Sequence, residues 1–376
     1  MSILSFSDFE FDFQKRHHTH DHAQRENSFV QTNLVSDGFL PAEHIDENLI
    51  NPWGVSSSPT GPFWVSDNGI GVATIYDGNG NPVTIDGHSS ITIAAPPGET
   101  GPSAPTGQVF NTKGTGFDIS SNGHTAPSKF IFATEDGTIS GWNPAVDSAS
   151  SVIAVDNSDS DAVYKGLAIG KTHGHTYLYA TDFHNGKVDM FDSRFHEVRS
   201  FTDPNLPDGY APFNVQALNG RLFVTFALQD DAKHDDVAGP GHGYVDEFDF
   251  SGHLLHRVAS QGPLDSPWGL AIAPSGFGKF SHDLLVGNFG DGRINAYDPH
   301  DFHFLGTLDD PSGNQVVIGD LWALVPGNAG PNSDPHSIYF TAGVENEEHG
   351  LFGTLTADTA QKHHTMASSD WVIPPA

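Results

Sequence analysis

Residues 266–298 read SPWGLAIAPSGFGKFSHDLLVGNFGDGRINAYD, and this stretch decides the fold. It holds three phrases. The first is Ser266-Pro267-Trp268-Gly269-Leu270, a Gly set among aromatic and apolar residues. The second is Leu284-Leu285-Val286-Gly287-Asn288, a short apolar run that ends in a polar, Gly-rich turn. The third is Ile294-Asn295-Ala296-Tyr297-Asp298, which alternates apolar and polar residues and stops at an acid. Short runs bounded by Gly, Asn and Asp are the signature of antiparallel strands and their turns.

Working outward, the first phrase recurs five more times. It stands as Asn51-Pro52-Trp53-Gly54-Val55, Pro105-Thr106-Gly107-Gln108-Val109, Tyr164-Lys165-Gly166-Leu167-Ala168, Pro212-Phe213-Asn214-Val215 and Asp320-Leu321-Trp322-Ala323-Leu324. Its aligned positions are 54, 107, 166, 214, 269 and 323, so the units are of similar length. The second phrase recurs with it, for example Phe63-Trp64-Val65-Ser66-Asp67 and Tyr177-Leu178-Tyr179-Ala180-Thr181-Asp182. So does the third, as in Ala73-Thr74-Ile75-Tyr76-Asp77 and Val188-Asp189-Met190-Phe191-Asp192. No long segment carries a 3.6-residue apolar period with caps. The chain therefore reads as all-β, a six-bladed β-propeller of four-stranded antiparallel blades. The first five units leave room for an outer fourth strand, such as Val83-Thr84-Ile85 or His196-Glu197-Val198; the sixth does not. Phe29–Val35 is the spare strand that closes the last blade and removes the sheet edge. The expected organisation is an acidic, His-rich N-terminal tail over 1–27, the propeller over 28–357 and a C-terminal tail over 358–376.

The repeated Pro-Trp-Gly phrase, the strands ending in Asp-Asn or Asn-Phe-Gly and the strands ending in Tyr-Asp resemble NHL-type and lactonase-like six-bladed propellers. Phe29–Gly38 together with Asn51-Pro52-Trp53-Gly54 is similar to an uncharacterised family of bacterial propellers, some with a C-terminal sorting tail. The resemblance implies the fold and an extracellular or periplasmic location. Met1–Phe13 lacks the basic start and apolar stretch of an ordinary signal peptide, and the chain ends Trp371-Val372-Ile373-Pro374-Pro375-Ala376 without an apolar helix and basic stop. A gluconolactonase-like metal pattern is incomplete, because Gly54 follows Trp53 where a Glu ligand belongs.

Composition narrows the chemistry. Asp plus Glu number 47 against 16 Lys plus Arg, a formal charge of −31. Such a surface repels phosphate backbones and attracts cations, so nucleic acid is not the expected partner. Cysteine is absent, which excludes disulfides, thiolate catalysis and Cys-ligated metals. No run of about 18 apolar residues offers a transmembrane segment.

Blade topology says where a site belongs. Inner strands start, and second strands end, at the same mouth of the axial channel. Trp53, Phe183, Phe213, Trp268 and Trp322 are the expected ligand-binding aromatics there, suited to stacking on a sugar or a peptide side chain. Asp67, Asp182, His184, Asn214, Asn288 and Glu345 are the expected metal ligands, oxygen-rich enough for calcium and, with His184, suited to zinc. Lys165, Asn51, Asn68, Glu135 and Asp320 fall at the same mouth. The 229–243 insertion, with Asp230, Asp231, His234, Asp235 and Asp236, lies over it. Arg16-His17-His18-Thr19-His20-Asp21-His22 reads as a chelating tail. Two functions follow. One is binding of a small molecule, carbohydrate or protein partner at the mouth, with or without a divalent metal. The alternative is a metal-dependent hydrolase or lyase of lactonase-like type. The residues leave open whether the protein is an enzyme.

Overall fold

The computed structural model describes residues 28–358. Six sheets surround one axis, and each blade runs from an inner to an outer strand. Blade 5 comprises Pro267–Ile272, Leu284–Asn288, Ile294–Tyr297 and Phe304–Thr307. Its registers are antiparallel throughout, with Leu270 opposite Val286 and Val286 opposite Asn295. Blades 1 to 4 repeat this plan from inner strands Pro52–Ser57, Pro105–Phe110, Tyr164–Thr172 and Tyr210–Leu218.

Blade 6 closes the ring as expected. Leu321–Pro326, Ile338–Ala342 and Leu351–Ala357 are its three inner strands, and Phe29–Ser36 pairs antiparallel with Leu351–Ala357 as the outer one. A parallel pair at His44–Ile45 covers part of the remaining edge. Phe29 anchors the closing strand: its buried ring lies 4.7 Å from Phe277 and 5.9 Å from Phe280 of blade 5.

One strand differs from the reading. In blade 1 the outer strand is Ser90–Thr92, not Val83–Ile85. Asp86 and Gly87 both take positive φ and fold Ile85 back on His88, so the first apolar run is spent on a tight turn. Blade 2 also carries an extra hairpin, Asp118–Ser121 with Thr125 and its neighbours in His124–Pro127.

The repeated Gly of the first phrase has a steric cause. Inner strands crowd at the axis, and a Cβ on Gly107 would stand 2.2 Å from the Leu167 backbone nitrogen. At Gly269 it would stand 2.7 Å from the Trp322 carbonyl oxygen. Blade 4 places Asn214 in this column instead. Its Nδ2 donates to the Trp268 carbonyl at 2.7 Å, so it ties two blades together. Among the described residues no helix is long and apolar enough to cross a membrane.

Candidate ligand site at the axial mouth

The five expected aromatics do come together, but as a plug. Trp53 stacks on Trp322 with centroids 3.5 Å apart, and Trp268 stands edge-on to both. Phe213 packs on Trp322 and on Phe183, and Phe289, which the reading did not select, covers Trp322 at 4.2 Å. The five are 0–3% exposed, so they offer a ligand no free ring face while packed this way. They form the apolar floor of the mouth.

The expected metal ligands are not gathered. Asp67, Asp182 and Asn288 close the second strands of blades 1, 3 and 5, and each serves its own blade. Asp67 accepts from the Thr74 amide at 3.0 Å, and burial pushes its carboxyl well above the usual range. Asp182 accepts from the Val163 and Asn185 amides and from Asn185 Nδ2. Asn288 Nδ2 donates to the Pro263 carbonyl and to Asp291. Asn214 is the interblade tie described above. His184 is half-buried, and its carbonyl accepts from Gln229 Nε2; Glu345 is exposed. The 1–27 segment, with its His cluster, lies outside the described residues.

A different set converges. Lys165 starts the inner strand of blade 3, in the column where four other blades place Trp53, Phe213, Trp268 and Trp322. Its side chain is 2% exposed. The ammonium bonds Glu135 of blade 2 and, at 3.2 Å, Asp235 of the blade 4 insertion. It also lies 5.1 Å from the Trp53 ring centroid and 5.9 Å from that of Phe183. Burial alone would push its pKa down, but Glu135 and Asp235 outweigh burial and hold it raised.

The network runs on in both directions. Asn68 Nδ2 donates to the other Glu135 oxygen at 2.8 Å. Asn51 Nδ2 donates to Glu347 at 2.7 Å and to Asn68 at 3.3 Å, while Asn51 Oδ1 accepts from Trp322 Nε1. On the far side His234 Nδ1 lies 2.9 Å from Asp235. That contact raises the His234 pKa, and with Lys165 nearby holds the Asp235 carboxyl well below the usual range. Blades 6, 1, 2, 3 and 4 are thus joined by one chain of polar contacts over the aromatic floor.

Local backbone explains how two of these groups reach the axis. The 229–243 insertion is docked: Gln229 Nε2 donates to the Phe183 carbonyl, the Val237 amide to Leu228, and the Gly239 amide to Asp265. Asp230 caps its tip by accepting from the His234 and Asp235 amides. In blade 6, Glu345, Asn346 and Glu347 take φ of 59°, 58° and 67°. Three successive left-handed residues without glycine are strained. The turn brings Glu347, not Glu345, to Asn51. Burial, set against the Asn51 hydrogen bond, pushes the Glu347 carboxyl up to about 7.

Glu135, His234 and Asp235 each bring one donor atom within 4.8 Å of the other two. Among the described residues, this is the trio of carboxylate and imidazole groups spaced for one ion. The sequence signal for this centre was the lone Lys in a column of aromatics. The turn Glu345-Asn346-Glu347-Glu348-His349 reads as a source of a carboxylate and an imidazole for the mouth, but its three acids read alike; the structure brings Glu347 to Asn51 and turns His349 to Asp37.

No family model matches the chain. Uncharacterized protein R648 of Acanthamoeba polyphaga mimivirus is 31% identical over 334 residues, which is 86% of this chain and 79% of that protein. Uncharacterized protein L690 of the same virus is 32% identical over 335 residues, covering 86% and 85%. The chain belongs to this family. These members are viral, so the bacterial attribution of the resemblance is not supported. Among solved structures, the chain is similar to virginiamycin B lyase from Staphylococcus aureus at a TM-score of 0.45 and 12% identity, covering 88% of this chain and 99% of that one. It is similar to Kuenenia stuttgartiensis hydrazine synthase at 0.47 and 14%, covering 84% and 80%. At these identities neither bears on the chemistry of the mouth.

Proposed function

We propose that the protein is a binding protein whose axial mouth takes up one divalent metal ion on Glu135, His234 and Asp235 and presents it to a small polar ligand. The observation that carries this reading is the convergence of those three side chains, each with a donor atom within 4.8 Å of the other two. One imidazole nitrogen with two carboxylates suits zinc or manganese better than calcium, which prefers six to eight oxygens. The acidic surface favours cationic or metal-bound species over phosphate backbones.

Equilibrium dialysis of the full chain against Zn²⁺ and Mn²⁺ tests the reading. The wild type is expected to hold one more ion per chain than Glu135→Ala or Asp235→Ala. Equal uptake by all three proteins would leave chelation to residues outside this site and sink the proposal.

The hydrolase or lyase alternative rests on Glu347. A carboxylic acid poised near neutrality beside an ionised pair has the properties of a general acid or base. Ion-dependent hydrolysis of an ester or lactone that is lost in Glu347→Gln, with ion uptake intact, would favour it.

A further inference from the structure

The same two carboxylates that would hold the ion already hold a cation. Lys165 Nζ bonds Glu135 and Asp235, the two oxygen donors of the trio, and also lies over the rings of Trp53 and Phe183. Its side chain is almost wholly buried, whereas those of Asp235 and His234 are 68% and 47% exposed. The inner side of the trio is therefore occupied by a buried ammonium, and the outer side is open. An ammonium is a compact point charge with three donors, close to an ion in what it offers a pair of carboxylates. Donor atoms up to 4.8 Å apart must draw in slightly to meet an ion at the roughly 2.0–2.2 Å distances of zinc.

We propose that Lys165 is a built-in stand-in for the metal: it keeps Glu135 and Asp235 convergent when the site is empty, and it competes with the incoming ion for both of them. This inference rests on the metal reading above and adds its selectivity. Ion affinity is the coordination energy less the loss of the Lys165 contacts. Weakly coordinating ions and monovalent cations then fail to displace the ammonium, and ions that gain most from the His234 nitrogen succeed.

The test is Zn²⁺ and Mn²⁺ binding to the full chain by titration calorimetry, comparing wild type with Lys165→Met. Each is also made with Glu135→Ala to identify the site. Removing the ammonium is expected to tighten the Glu135-dependent site at least tenfold. It is also expected to lower the thermal midpoint in chelator and to restore it on adding Zn²⁺. If Lys165→Met does not fold in chelator, Lys165→Gln removes the charge while keeping a donor for Glu135, and the same tightening is expected. A Glu135-dependent site of unchanged or weaker affinity in the folded variant overturns the stand-in role and leaves the metal reading in place. Absence of a Glu135-dependent site from every protein overturns both.

Discussion

The two faces of the propeller use acidic residues in opposite ways. On the face away from the mouth, the turn after the third strand is capped by the same device in blade after blade. Asp77, Asp192, Asp249 and Asp298 each accept from the amides two and three or four residues on. Despite some burial, hydrogen bonds hold all three of the Asp77, Asp192 and Asp249 carboxyls below the usual range, the Asn332 and Asn81 side chains leading at Asp77 and the turn amides at Asp192 and Asp249. Asp192, Asp249 and Asp298 find these partners within their own turns, and Asp77 adds one bond from Asn332 Nδ2 of blade 6 at 2.7 Å. At the mouth, Glu135 and Glu347 find partners on neighbouring blades, Asp235 joins Lys165 of blade 3 as well as its own neighbour His234, and the Glu347 and Asp236 carboxyls are pushed up, chiefly by burial. A local turn needs its acid ionised and gains stability from it. At the mouth, Glu347 and Asp236 are held against that tendency, close to a single buried Lys.

This contrast can be broken in four places. The largest effect is expected at Lys165, because removing one partner of a buried pair leaves uncompensated charge. Lys165→Met should cost about 3–5 kcal/mol by chemical denaturation at neutral pH without metal. A cost below about 1 kcal/mol would mean that the pair is no part of the core.

Next is Glu347. Its folded pKa of about 7 lies above the ordinary value of 4.5. Its contribution to stability is then fully present below pH 4.5 and is lost as pH rises towards 7. Glu347→Gln should flatten that part of the stability profile by about 2 kcal/mol, allowing for partial exposure. Parallel profiles for the two proteins would show that Glu347 ionises normally.

Asp249→Ala, on the opposite face, should cost about 1 kcal/mol near neutrality and less below pH 3, where the carboxylate is protonated. The smallest effect is expected at Asp67, which burial disposes to be neutral. Asp67→Asn keeps an acceptor for the Thr74 amide and should change stability by less than about 1 kcal/mol, with metal uptake unaltered. A lost ion in Asp67→Asn would restore it as a ligand.

The fold was legible because it is repeated. Gly54, Gly107, Gly166 and Gly269 mark the same crowding at the axis, and an error in one unit is corrected by the other five. Phe29–Val35 was legible as the closing strand because blade 6 otherwise lacks one. The site was legible only as a location. Asp67, Asp182 and Asn288 carry donor groups at the right ends of the right strands, yet those groups turn back into their own hairpins. Asn214 carries an amide at the axis, yet stands in the glycine column and bonds the next blade. A side chain's partner depends on rotamer and on backbone direction, and in blade 6 three left-handed residues moved the role from Glu345 to Glu347. Repetition cannot reveal what only one blade does, and Lys165, the insertion with His234 and Asp235, and the strained blade 6 turn are each unique.

The most direct test of this account is an anomalous difference map at the zinc edge, from crystals of the full chain equilibrated with Zn²⁺. The account expects one strong peak within coordination distance of Glu135, His234 and Asp235, with the Lys165 ammonium withdrawn from both carboxylates. A map in which that position is empty, while Lys165 still bonds Glu135 and Asp235 at saturating zinc, would contradict it.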